Sequence, residues 1–262
     1  MLSIILIAED IKSIKKIFKK LNEEKITIRF NIFAIVQSSD PSLLLILEKE
    51  GLPNSHIVFG NGELSISECI NRVCSLDTET ELFLLCPDNS LITFKVLERI
   101  QQEFSNPNVG LVIPQTYNSN SNDDPFPTLI NKDTNSRKLF PFRLHTNSIF
   151  CFSKASFRAA NRFDTRYKFP FFSYNAFYAS VNKKNFKIIE ANDISIEIFC
   201  KETNKTQKQI TKEKILGRLE AREFCKLNKD FLKNNSGIPK RILAAGGGIL
   251  PLPFKHLSNL TI

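Results

Sequence analysis

The sequence predicts an α/β fold, in which a mainly parallel sheet is flanked by helices and followed by a C-terminal helical tail. Two observations predict this fold. Up to about residue 115, short apolar runs alternate with segments whose apolar residues recur every three to four positions. The runs are nearly continuous, as is typical of strands buried on both faces. A chain of 262 residues, 42% of them hydrophobic, is long enough to bury such a core.

The first part of the chain predicts five strands and four helices. The strands are 2–8, 26–36, 56–59, 82–86 and 109–114, and the helices are 11–21, 43–49, 65–75 and 93–104. Ser65 and Glu68 form a capping-box pattern at the start of the third helix. The fourth strand ends in the turn formers Pro87, Asp88 and Asn89. The Asp88 carboxylate is therefore expected at the carboxyl end of a buried strand, where open α/β sheets bind ligands.

The second part of the chain changes character after Pro114. Residues 117–124 are rich in Asn, Ser and Asp, which predicts a surface loop. Further strands are predicted at 148–153, 186–190 and 194–199, with helices at 154–161 and 169–184. A Lys-rich segment with helical spacing covers 207–233, and an apolar and basic tail follows at 238–256. This tail fits either a membrane surface or partner, or an arm packed on its own domain.

Charge and cysteine usage narrow the class of function. The net charge is +9, from 36 Lys and Arg against 27 Asp and Glu, which favours phosphates, nucleotides or anionic lipid as partners. Nucleic acid is not expected, because no zinc-finger spacing or RNA-binding signature accompanies the charge. The six Cys form no C-x-x-C pair, which indicates buried thiols in a reducing compartment, the cytoplasm. No apolar run approaches the roughly 18 residues of a membrane span.

Six stretches, in order, resemble the motifs of family 2 glycosyltransferases of the GT-A fold. They are LSIILIAED, similar to the opening strand; AIVQSSD, to the second-strand ending; LSISECINR, to a helix with an A-x-N segment; ELFLLCPDNSL, to the strand ending in D-x-D; VGLVIPQ, to the strand after it; and IFCFSKASFRAANRFDTRY, to a strand, short helix and G-F-D-E-R-F segment. The resemblance covers about residues 1–200. It implies a GT-A domain at 1–200, with a nucleotide-sugar half at 1–115 and an acceptor half at 116–200, and a C-terminal extension at 201–262.

The sequence departs from the family pattern at acidic positions. Cys86 stands at the first Asp of D-x-D, and Asp88 stands at the second. Gln37 stands where an Asp usually contacts the nucleotide base. Ser173 and Tyr174 fall on the Glu-Asp pair that usually supplies the catalytic base. Elsewhere, Arg162 replaces the Gly of G-F-D-E-R-F, and the closing N-K-K-N-F-K-I resembles R-x-x-G-Y-x-I.

The resemblance implies inverting transfer of a hexosyl group from a nucleotide-sugar to a carbohydrate or lipid-linked acceptor, in bacterial cell-surface polysaccharide synthesis. The protein would then work in the cytoplasm or at the inner membrane face. The donor-binding residues that it implies are Ala8, Asp10, Gln37, Asp40, Asn71, Arg72 and Asp88. Asp88 would bind Mg²⁺ or Mn²⁺, since these ions prefer carboxylate oxygens. Asp164 and Tyr174 are the candidate catalytic residues.

Other assignments remain open from sequence. Asp123 and Asp124 could approach an acceptor from the predicted loop. Arg72, Arg162 and Arg166 could neutralise a diphosphate without metal, because guanidinium pairs well with phosphate oxygens. A different class of function is a catalytically inactive GT-A domain that binds or scaffolds. A nucleotidyltransferase is disfavoured, because the first strand is not followed by a Gly-rich phosphate loop.

Overall fold

The computed structural model confirms a mixed α/β architecture. It describes residues 1–8, 14, 17, 29–36, 55–60, 64–118, 149–168, 170–198, 220, 223, 224, 226 and 227. Within these ranges, eight strands form one sheet in the order β3-β2-β1-β4-β7-β6-β8-β5. The predicted segments 11–21 and 43–49, the loop from 119 onward and most of 201–262 lie outside the described residues, apart from helical Ile14 and Ile17 and a few residues near the C-terminus.

The first half of the sheet is parallel. Strands β1 (Leu2–Ala8), β2 (Phe30–Val36), β3 (Ser55–Phe59) and β4 (Leu82–Pro87) place β1 at the centre, between β2 and β4. All seven residues of β1 are buried. A strand buried on both faces is expected to be nearly continuously apolar, which explains the LSIILIA run, with Ser3 as its polar exception.

The second half of the sheet is mixed. It contains β5 (Ser90–Leu91), β6 (Val109–Asn118), β7 (Phe150–Ser153) and β8 (Lys187–Ile198). Strand β7 runs antiparallel to both β4 and β6, whereas β6 and β8 are parallel. The short β5 pairs antiparallel with the end of β8. The sheet is therefore mostly parallel, with antiparallel pairs at β7 and β5.

Four helices with full bounds accompany the sheet: α1 (Ile66–Leu76), α2 (Phe94–Glu103), α3 (Lys154–Ala159) and α4 (Pro170–Lys183). The capping box at α1 is confirmed. The Ser65 N–H donates to Glu68 Oε2 at 2.7 Å, and the Glu68 N–H donates to Ser65 Oγ at 3.2 Å. Helix α4 begins with a proline, which suits a first helical position because its N–H would have no intrahelical partner there.

The helices cover both faces of the sheet. Helices α1, α3 and α4 pack on one face, against a core rich in aromatic rings, and α2 packs on the other with Ile14 and Ile17. Helix α4 is buried along most of its length, from Phe172 to Ala179. A helix that is apolar nearly all round needs cover on its outer side as well.

Cover for α4 comes from the described residues of the C-terminal extension. The ring of Phe224 lies 6.0 Å from that of Phe172 and 6.2 Å from that of Tyr167. The Lys168 N–H donates to Glu220 Oε1 at 2.8 Å. Glu220 and Phe224 of the extension thus contact the loop before α4, while the division of the chain at residue 200 stays a prediction. Among the described residues, no helix has the length and apolar character needed to cross a membrane.

The structure differs from the sequence prediction at β6 and β8. The predicted loop at 117–124 begins too early, because β6 continues to Asn118 through pairing with β8. The two strands predicted at 186–190 and 194–199 are one strand, β8. Its pairing with β6 shifts register between Pro114 and Gln115, so the polar residues around Asp193 interrupt the apolar pattern without ending the strand.

Four buried polar residues lie at the amino ends of β1 and β4: Ser3, Asp77, Thr80 and Lys154. We call them the amino-end cluster. The Ser3 hydroxyl donates to Asp77 Oδ2 at 2.5 Å and lies 2.7 Å from Thr80 Oγ1. Lys154 Nζ donates to the carbonyls of Asp77 and Thr78, at 3.1 and 2.6 Å. Hydrogen bonds outweigh the burial that opposes ionisation, so the pKa of Asp77 is lowered.

Candidate functional site

The carboxyl ends of β1 and β4 carry the residues expected to hold the donor. Ala8 is the last residue of β1 and is buried, and Asp88 follows directly after β4. The Asp88 N–H donates to the Ile7 carbonyl at 3.0 Å, which ties the Asp88 turn to β1. Asp88 is 2% exposed. Asp10, Gln37 and Asp40 lie outside the described residues, so their predicted roles stay predictions.

Cys86, at the first D-x-D position, is unsuited to a hard metal ion. Its side chain is fully buried, with the thiol 3.9 Å from the Ile5 carbonyl. Burial, and secondly the nearby Asp88 carboxylate, raise the pKa of the Cys86 thiol far above neutral pH. A protonated thiol is a poor ligand for Mg²⁺ or Mn²⁺. Within the described ranges, no group of three or more His, Cys, Asp and Glu side chains could hold a metal ion.

A metal at this edge would therefore be held by Asp88 together with oxygens that the protein does not supply. Asp88 offers the hard oxygen ligands that Mg²⁺ and Mn²⁺ prefer, and Cys86 offers none. The donor set fits an ion coordinated mainly by the phosphates of a bound nucleotide and by water.

Ser173 and Tyr174, which fall on the Glu-Asp pair of the resembling motif, are both buried. Ser173 is fully buried on α4, where it accepts a hydrogen bond from the Ser67 hydroxyl at 2.7 Å and donates to the Asp164 carbonyl at 3.2 Å. These bonds join α1, α4 and the loop before α4. In this chain, Ser173 holds helices together.

Tyr174 also lies in the core. Its ring meets that of Phe150 edge-on at 5.2 Å and that of Phe163 at 6.1 Å. Burial, and secondly the neighbouring Cys86, raise the pKa of the Tyr174 hydroxyl well above its usual value near 10. A buried phenol with a raised pKa stays protonated at neutral pH, which disfavours the expected role as a base.

Asp164 is ionised but already paired. Its carboxylate accepts bidentate hydrogen bonds from the Arg166 guanidinium, at 2.6 Å from Nη2 and 2.9 Å from Nε. Burial opposes ionisation, but the bonds and charge of Arg166 outweigh it and lower the pKa of Asp164. A carboxylate with a lowered pKa is a weak base, so a catalytic Asp164 would need Arg166 to move away.

Asn71 positions the loop that carries Asp164. Its side-chain amide donates to the Phe163 carbonyl and accepts from the Phe163 N–H, both at 2.9 Å. This pair of bonds consumes one donor and the acceptor of the amide. Its predicted role in donor binding stays untested. Arg72, the next residue of α1, is exposed.

Two residues adopt backbone conformations that favour glycine where the resembling motifs carry glycine. Arg162 has φ 71° and Asn185 has φ 64°. Both follow helix ends closed in the same way: the Arg162 N–H donates to Phe157 O after α3, and the Phe186 N–H donates to Val181 O after α4. The preceding Asn161 is also left-handed, at φ 62°. The backbone thus keeps the shape of the glycine positions although the side chains differ.

Glu197 is a carboxylate residue that the sequence prediction did not single out. The β5–β8 pairing places it opposite Leu91, next to the turn that contains Asp88. No pattern in the sequence predicts a two-residue strand such as β5, whose partner β8 lies far along the chain. The alternation of β8 indicates only that Glu197 lies on the opposite face from its buried neighbour Ile196.

Comparison with known proteins identifies the fold. No protein-family model matches the chain, and no curated protein matches it. Solved structures do match. Mannosyltransferase PcManGT from Pyrobaculum calidifontis, in complex with GDP-Man and Mn²⁺, has a TM-score of 0.60 and 11% identity over 98% of this chain and 70% of its own.

Residues 1–349 of S. aureus TarS match with a TM-score of 0.59 and 11% identity, over 98% of this chain and 72% of the other. A mycobacterial protein matches with a TM-score of 0.52 and 10% identity, over 91% and 76%. At these identities the likeness shows the fold alone, which is of the GT-A type. Membership of family 2 stays a prediction.

Proposed function

We propose that this chain is a glycosyltransferase that moves a sugar from a nucleotide-sugar to a carbohydrate or lipid-linked acceptor. One observation carries the proposal. The GT-A-type sheet puts the Asp88 turn at the carboxyl end of β4, joined to β1 by the bond from the Asp88 N–H to Ile7 O. Open α/β sheets bind nucleotides at this edge. The mannosyltransferase of similar fold is in complex with GDP-Man and Mn²⁺, so GDP-mannose is the first donor to test.

In the proposed reaction, an acceptor hydroxyl attacks the anomeric carbon of the donor. The bond from that carbon to the diphosphate oxygen breaks, and the nucleoside diphosphate leaves with the bond electrons. A divalent cation, bound by Asp88 and the phosphates, would neutralise the leaving group. The hydroxyl proton goes to a carboxylate. Asp164 is the described candidate, while Asp123 and Asp124 lie outside the described residues.

The remaining parts of the proposal rest on the sequence resemblance. The acceptor would be a saccharide of a bacterial surface polysaccharide, and the protein would work in the cytoplasm or against the inner membrane face. The tail at 238–256, proposed for peripheral membrane contact, lies outside the described residues. The net charge of +9 supports anionic donors and acceptors in general.

Calorimetric titration of the full chain with GDP-mannose and with UDP-sugars tests the proposal. Mn²⁺ should strengthen binding of one donor about tenfold or more, and Asp88→Asn should remove that gain. Asp193→Asn is the matched control, because Asp193 is an exposed carboxylate on β8 that pairs with Arg99 of α2. If none of the donors binds, with or without Mn²⁺, the proposal fails.

A second candidate is a GT-A domain that binds a nucleotide-sugar without transferring it. The specific observation in its favour is the burial of Ser173 and Tyr174 at the positions of the family's acidic pair. Such a protein would bind the donor in the calorimeter but release no nucleoside diphosphate when acceptors are added. Release of GDP or UDP above the rate of the Asp88→Asn variant would favour the enzyme.

A further inference from the structure

A polar cavity lies beside helix α4, away from the strand ends. It has a volume of about 750 Å³, within the usual range for small-molecule sites. Among the described residues that line it, none belongs to a strand, and neither Ala8 nor Asp88 takes part. Its wall is made by the turn after α3, the outer side of α4 and Leu227 of the C-terminal extension. We call it the α4 cavity.

The α4 cavity carries an excess of positive charge. Arg162, Arg166 and Lys183 line it, against the single carboxylate of Asp164. Arg166 is already engaged by Asp164 at 2.6 Å, with Glu223 at 3.8 Å. Within the described part of the chain, neither Arg162 nor Lys183 has an ion pair. Among the described lining residues, these two cations have no described ion-pair partner, which suits an anion from solution.

Neutral polar residues line the same cavity. They are Asn161, Thr165, Ser180 and Asn182. Amides and hydroxyls pair with the hydroxyl groups of a sugar, whereas guanidinium and ammonium groups pair with phosphate. A cavity lined by both kinds of residue suits a small molecule that has both a phosphate and several hydroxyls.

The backbone under Arg162 adds a second argument. Asn161 and Arg162 are consecutive left-handed residues, and for a residue with a Cβ this conformation is unfavourable. Glycine would fit without strain at Arg162, where the resembling motif carries one. An arginine held there at an energetic cost, with its side chain on a cavity, is an indication of function.

We propose that the α4 cavity is a second binding site, for a phosphorylated saccharide. Arg162 and Lys183 bind the phosphate, and the amides and hydroxyls of the lining bind the sugar. The site does not include Asp88 of the proposed donor site, but it shares Asp164, the described candidate base, with the proposed reaction. It holds whether or not the chain transfers sugar.

Calorimetry of the full chain with glucose 1-phosphate, inorganic phosphate and glucose tests this proposal. Glucose 1-phosphate should bind more tightly than inorganic phosphate, and glucose should show no detectable binding. Arg162→Gly and Lys183→Gln should each weaken glucose 1-phosphate binding about tenfold to a hundredfold, because each removes a charge-assisted hydrogen bond. Arg162→Gly is well suited, since glycine suits φ 71° and the fold should persist.

Lys184→Gln is the matched control. Lys184 is an exposed lysine next to Lys183 and is not among the lining residues, so its loss should leave binding unchanged. Asp88→Asn should also leave glucose 1-phosphate binding unchanged, which separates this proposal from the donor site. No binding of glucose 1-phosphate, equal binding of glucose, or an equal loss with Lys184→Gln would each overturn the proposal.

Discussion

The two ends of the β1–β4 strand pair use polar residues in opposite ways. At the amino end, the amino-end cluster is buried, and its hydroxyl, carboxylate and ammonium groups bond to one another and to nearby carbonyls. At the carboxyl end, three positions that resemble acidic motifs hold buried residues without a carboxylate: Cys86, Ser173 and Tyr174. Asp88, at a fourth such position, is buried and has a carboxylate. The amino end is satisfied internally, whereas at the carboxyl end residues without a carboxylate stand at several positions that resemble acidic motifs.

The difference separates stability from chemistry. A buried polar group that is fully partnered inside the protein stabilises one arrangement of the chain and has little left for a ligand. Binding requires groups that the protein leaves incompletely satisfied. By this criterion the amino end is structural. Binding through Asp88 at the carboxyl end remains a proposal.

The largest effect is expected from removing the carboxylate of the amino-end cluster. Asp77→Ala leaves the buried hydroxyls of Ser3 and Thr80 without their acceptor, at a cost of about 3 kcal/mol in the free energy of unfolding. Urea denaturation followed by circular dichroism measures it. Glu98→Ala, at an exposed site on α2, should leave the midpoint unchanged. If Asp77→Ala lowered the free energy of unfolding no more than Glu98→Ala does, the cluster would not be structural.

The same cluster predicts a dependence on pH. The pKa of Asp77 is lowered in the folded state from an ordinary value of 3.8. Its contribution to stability is therefore complete above pH 3.8 and is lost as the pH falls through the folded-state pKa. Urea midpoints of the wild type and Asp77→Asn, measured between pH 7 and pH 2.5, should converge at the acidic end. A constant difference would contradict this assignment.

Packing at the amino end of β6 should tolerate no added atom. A Cβ at Gly110 would lie 2.6 Å from Phe186 Cβ, 2.9 Å from Phe186 Cγ and 3.0 Å from Ser156 Cβ. Gly110→Ala should therefore lower the free energy of unfolding by about 2 kcal/mol, through forced movement of β8 or α3. Thermal denaturation checks it, with Ser105→Ala at an exposed position as the control. An unchanged Tm would show that Phe186 and Ser156 move at little energetic cost to accommodate the added methyl group.

At the carboxyl end, Tyr174→Phe should have a small effect. The ring packing against Phe150 and Phe163 is kept, and a buried hydroxyl that stays protonated cannot act as a base. We expect any donor binding or transfer rate to change less than twofold. A loss of a hundredfold or more in rate, with donor binding intact, would restore Tyr174 as a catalytic residue.

The smallest effect should be a gain in stability. Asn185→Gly places glycine at φ 64°, a conformation that it adopts at little cost, so stability should rise by about 0.5 kcal/mol. Lys184→Gly, one residue earlier and without a positive φ, should lower stability instead. Tm shifts of opposite sign would confirm that the backbone, and not the side chain, decides the outcome.

Most of the fold could be predicted from the sequence, because its signals are local. The apolar run of β1, the capping box at Ser65 and the turn formers after β4 each determine their element within a few residues. The errors came from long-range pairing. The extension of β6 to Asn118, the continuity of β8 across Asp193 and the existence of β5 depend on contacts between segments far apart in the chain.

The candidate site was less predictable. The sequence correctly placed Asp88 at a strand end, but it could not show that Tyr174 is buried or that Asp164 is paired with Arg166. Side-chain direction on α4 depends on packing against the sheet and the C-terminal extension. The sequence also could not predict the α4 cavity. Arg162, which stands at a glycine position of the resembling motif, was a residue of its lining that the sequence marked as unusual.

The pairing of β5 with β8 bears on how the chain can be divided. Ser90 lies opposite Ile198, so the strand after the Asp88 turn is held by the last residues of β8. A shortened fragment that stops before residue 198 would remove this partner, although the Asp88 N–H would keep its bond to the Ile7 carbonyl of β1. Any truncation series that seeks a minimal donor-binding unit should therefore retain β8 in full, since its carboxyl end pairs with the strand that follows the Asp88 turn.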